Sequence, residues 1–118
     1  MLAAREALPE ALAAYDAALA ASARLPSAHY NRALVLEAMD DPVRAIAALR
    51  AELEVQPNWP PALLRLAALL AAQGTEQRGE AGRLADRAAA SLGADDPDVR
   101  AVRELLQDGA PLSGADSP

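Results

Sequence analysis

The chain has 118 residues, a formal net charge of −6 and no cysteine. That length holds one ordinary domain or a short repeat array. The acidic balance disfavours binding to phosphate backbones, and the lack of cysteine excludes disulfides, thiolate chemistry and Cys-ligated zinc. Hydrophobic residues make up 53% of the chain, mostly Ala and Leu, with no Phe. Small unbranched residues favour helix and close helix–helix approach over a thick globular centre. All eleven basic residues are Arg, a codon bias that points to a GC-rich, bacterial genome. The opening MLAAREALPEA has no long apolar stretch before its charges, so no signal peptide is expected. The longest apolar run, residues 62–72, is interrupted by Arg65 and too short to span a bilayer. A soluble, cytoplasmic chain is the expectation.

In chain order, residues 1–7 read as a short helical fragment. Pro9 sits just inside a second helix over 9–21, where its missing N–H costs nothing, with Leu12, Tyr15 and Leu19 on one face. Residues 24–26 break it. Ser27 is placed as the N-cap of a helix reaching Met39. Asp40-Asp41-Pro42 combines a stop with a restart: Asp41 can cap the next helix and Pro42 fits its first position. That helix sets Val43, Ile46, Leu49 and Leu53 on one face and ends near Val55, before a connector over 56–59. Pro60 and Pro61 open a helix to Gln73 with Leu63, Leu66, Leu69 and Leu70 as its inward stripe. Gly74 is expected as a left-handed C-cap and 75–79 as a polar loop. A helix over 80–92 stops at Gly93. Asp96-Pro97 repeats the Asp41-Pro42 start, and the last helix, 96–107, turns Val99, Val102 and Leu106 inward. Residues 108–118 are small, polar and rich in Pro and Gly, and are expected to be disordered. No segment alternates with period two, so no strand is expected.

The pattern repeats. Ala11 and Ala45 stand 34 residues apart and Ala45 and Ala81 stand 36 apart, the excess of two fitting the 75–79 loop. A period near 34 with two helices per unit is the spacing of tetratricopeptide (TPR) repeats, and the chain resembles that family over residues 8–107. In the central unit, 27–59, Ala33 and Leu36 match the small and large positions of its helix A. Ala45 and Leu49 match those of helix B, and Pro57 is the closing proline. The third unit, 60–93, matches at Leu63, Leu66, Ala67, Leu70, Gly74, Ala81 and Ala88. The stretch LRLAALLAAQGTEQRGEAGRLADRAAASLGADDPDV is similar to a variant with a lengthened A–B loop, an E-A-x-x-L-A-x-R-A helix and a G-x-x-D-P exit. The resemblance implies an all-α chain of about six to seven helices, antiparallel hairpins stacked as a right-handed TPR α-solenoid. Residues 8–26 form a partial first repeat lacking most of its helix A, and 96–107 a capping helix. Three residues depart from the pattern: Arg32 stands at a usually apolar position, Asp40 at a turn glycine, and Glu52 at a small helix-B residue.

Each helical hairpin leaves an apolar face that neighbours must cover, and the A helices of such a stack line a concave surface. The resemblance implies that an extended peptide or partner helix lies there. The matching positions are Tyr30, Asn31, Leu34, Glu37 and Ala38 on one A helix, and Leu64, Arg65, Ala68 and Ala72 on the next. In some family members an Asn and an Arg at the positions of Asn31 and Arg65 hold a peptide's C-terminal carboxylate, where amide and guanidinium donors converge. Here Pro61 replaces a lysine that completes that set, and structural or solvated roles compete for both residues.

The rest of the chemistry points away from catalysis. The single His29 has no companions for a metal site and stands where an aromatic usually packs. Tyr15, Tyr30 and Trp59 read first as packing residues. Asp95, Asp96 and Asp98 lack the spacing and glycine of a calcium loop and read as a cap. The glycines of 74–82 lack the Lys-Ser/Thr of a phosphate loop, and Asp40 and Asp41 lie in an exposed turn. The expectation is a non-catalytic interaction module needing no metal or cofactor, with a protein or peptide partner and no nucleic acid or membrane insertion. A structural or regulatory piece of a larger enzyme, such as a glycosyltransferase-linked protein, stays open beside it. So does a module that self-associates through exposed solenoid ends.

Overall fold

A computed structural model describes residues 7–109. Among the described residues there are six α-helices and one 3-10 turn: α1 Leu8–Ala21, α2 Ala28–Ala38, α3 Pro42–Val55, α4 Pro60–Gln73, the turn Thr75–Gln77, α5 Arg78–Leu92 and α6 Pro97–Gly109. No strand occurs among the described residues. None of their helices is long and apolar enough to cross a membrane. The helical fragment expected over 1–7 and the tail over 108–118 fall outside these residues, apart from Ala7 and the last two residues of α6. Packing divides the chain into two compact units, Met1–Pro57 and Asn58–Pro118. The division falls inside the 56–59 connector.

In the first unit α2 packs against both α1 and α3. Ala33 and Leu36 of α2 and Ala45, Ala48 and Leu49 of α3 are buried, so small residues let the two backbones approach while two leucines fill the remaining space. The α2–α3 turn is closed by backbone bonds: Asp40 N–H donates to Glu37 O at 2.9 Å and Asp41 N–H to Leu36 O at 2.9 Å. These are the paired bonds of a Schellman cap, which requires a left-handed residue between helix end and exit. Asp40 takes that place with φ 65°. Asp41 then caps α3, its Oδ1 accepting from Arg44 N–H at 3.2 Å, and Pro42 occupies the first helical position.

At the other end of α2, Glu52 changes the expected packing. Its side chain is wholly buried. One carboxylate oxygen accepts from Ser27 N–H at 3.0 Å and the other from Tyr30 N–H at 3.0 Å. Gln56 Nε2, one turn on, donates to the first oxygen at 2.7 Å. Ser27 holds the N-cap position, but its own side chain makes no capping bond and its backbone is left-handed, φ 70°. The cap of α2 therefore comes from α3. A carboxylate at the positive end of the helix dipole, bonded to free N–H groups, meets both requirements of a helix start.

In the second unit α4 packs against α5 and α6, and α5 packs against α6. Leu63, Leu66, Ala67 and Leu70 of α4, Ala81, Leu84, Ala85 and Ala88 of α5, and Val99 and Val102 of α6 are buried. Trp59 carbonyl accepts from Ala62 and Leu63 N–H, both at 3.1 Å, and starts α4 behind the two prolines. Asp96 Oδ1 accepts from Asp98 N–H at 2.9 Å and Val99 N–H at 3.1 Å, so the Asp-Pro start operates twice. Arg78 Nη1 donates to Leu106 O at 2.7 Å and ties the start of α5 to the last turns of α6. Arg103 Nη2 meets Asp86 Oδ1 at 2.8 Å across α5 and α6.

Several expectations are corrected. Val43 is 70% exposed, because the second residue of α3 lies at the turn, beyond the reach of α2. The loop over 75–79 is a 3-10 turn running into α5, which starts two residues earlier than the sequence suggests. Gly74 has φ 144° and ψ 178°, an extended conformation open to glycine, rather than a left-handed helical cap. Leu69 is half-buried, whereas Leu64 and Ala71 are buried.

Two outcomes follow from the caps. Asp40→Gly should raise stability by about 0.5–1 kcal/mol, since glycine adopts the left-handed position without a Cβ clash. An unchanged or lowered urea midpoint would contradict this. Glu52→Ala should cost about 2–4 kcal/mol, because it leaves two part-buried helix-start N–H groups without an acceptor. Urea unfolding followed by circular dichroism reads that loss directly.

Candidate interaction face

Tyr30, Asn31, Leu34 and Glu37 fall on one side of α2, at helical spacings of one, four and seven. All four are half-buried, and Ala38 at the end of the strip is exposed. The strip is fixed at both ends. Glu52 holds Tyr30 N–H, the first α-helical bond joins Asn31 N–H to Ser27 O at 2.9 Å, and the Asp40 turn closes the other end. A rigid helix with part-exposed aromatic, amide, apolar and acidic side chains can offer both apolar contact and hydrogen bonds to a partner.

On α4 the equivalent residues are Leu64, Arg65, Ala68 and Ala72. Arg65 and Ala72 are exposed and Ala68 is half-buried. Leu64 is 8% exposed and belongs to the packed interior instead of an accessible face. It sits between Leu63 and Leu66, and an apolar stripe wider than a strict every-third-or-fourth pattern carries it inward. Asn31 belongs to the first unit and Arg65 to the second.

The remaining singled-out residues take structural places. His29 Nε2 donates to Ala23 O at 2.8 Å and ties α2 to the connector before it. Tyr15 and Trp59 are half-buried. Asp96 is a cap, as the sequence indicates. No group of three or more His, Asp or Glu side chains among the described residues is placed to hold a metal ion. A shallow polar depression of about 370 Å³ is lined by Gln73, Gly74, Glu76 and Gln77 beside the 3-10 turn.

Sequence reasoning missed three connections. Glu52 was legible only as a misfit on an inward face, because the helix start it faces leaves no record in the residues around it. Arg32 stands at a usually apolar position because its Nε meets Asp16 Oδ1 of α1 at 2.6 Å. The bond from Arg78 to Leu106 O has no local sequence signature.

Compared with protein-family models, curated proteins and solved structures, the chain matches none.

Burial separates the two kinds of face residue. Leu64→Ala should cost about 2–3 kcal/mol through lost burial and a residual cavity. Arg65→Ala, at an exposed position, should stay within about 1 kcal/mol. Equal urea midpoints for the two variants would show that Leu64 is not packed as described.

Proposed function

We propose that the chain is a non-catalytic protein–protein interaction module of the tetratricopeptide-repeat kind. In this reading it binds an extended peptide or a partner helix along the exposed sides of its A helices, α2 and α4. The observation that supports it is the recurrence of buried positions. Ala33 and Ala67 stand 34 residues apart, as do Leu36 and Leu70, and all four are buried. Ala45 and Ala81 stand 36 apart and both are buried. Leu63 and Val99, and Leu66 and Val102, repeat the 36-residue step on α4 and α6. A hairpin that recurs with its small residues at the same crossings is the building block of helical repeat arrays, whose common use is recognition.

Tyr30, Asn31 and Glu37 on α2 and Arg65 on α4 are the polar contacts this reading assigns to the partner. Leu34 and Ala68 supply apolar area beside them. Leu64 acts from beneath, by holding α4 in place.

The test is an affinity capture from lysate of the source organism, with the native chain and an Asn31→Ala/Arg65→Ala variant side by side, read by mass spectrometry. Circular dichroism first checks that both are folded. The expected result is a protein retained by the native chain and lost by the variant. A protein retained equally by both would remove Asn31 and Arg65 from the site, and no enriched protein would count against the interaction module itself.

A further inference from the structure

We draw no further inference here: the strongest candidate, the surface patch of exposed Met39 and Val43 on either side of the Asp40-Asp41 turn between α2 and α3, carries nothing because nothing in the structure shows what covers it.

Discussion

One buried carboxylate holds the first unit together. Glu52 lies on the inner side of α3, fully removed from solvent. A buried charge is costly unless it is bonded on all sides. Here two backbone N–H groups at the start of α2 and the side-chain amide of Gln56 surround it. The same bonds remove the usual burden of a helix start, which otherwise exposes N–H groups that nothing within the helix can satisfy. Because donor and acceptor sit on different helices, the bond sets the register of α2 against α3. In the second unit the aligned residue is Ala88, buried and apolar, and α5 packs there without a polar bridge.

Arg32 and Asp40 share this logic: like Glu52, each has a specific partner or conformation. Arg32 trades apolar packing for an ion pair with α1. Asp40 accepts a left-handed backbone to complete the turn. Arg103 extends the pattern at the other end of the chain. It stands 36 residues after Ala67 and is half-buried, its guanidinium on Asp86. α1 differs: Leu8, Leu12, Tyr15 and Leu19 are only half-buried.

The interaction reading draws on the same features. Firm caps on α2 and the dense interior of α4 leave a limited set of side chains within reach of a partner. Asn31 is part-exposed and Arg65 is exposed, whereas Leu64 is interior. A peptide or helix bound along such a side would meet rigid backbone and adjustable polar tips, an arrangement that limits the entropy lost on binding.

The sequence by itself determined that the chain is helical, where most helices begin and end, and which small residues recur. Those features are local: proline at first helical positions, aspartate caps, and apolar residues at helical spacing act within a turn or two of chain. Asp41-Pro42 and Asp96-Pro97 could therefore be read directly, and the bounds of α4 likewise. Tertiary structure alone decided the rest. That Glu52 caps α2, that Arg32 reaches Asp16, that Leu64 is interior and Val43 is not, and that the 75–79 segment is helical all depend on what a second helix brings close. A side chain's burial and bonding partners are properties of the packed pair, and periodicity in one helix carries no record of the residue facing it.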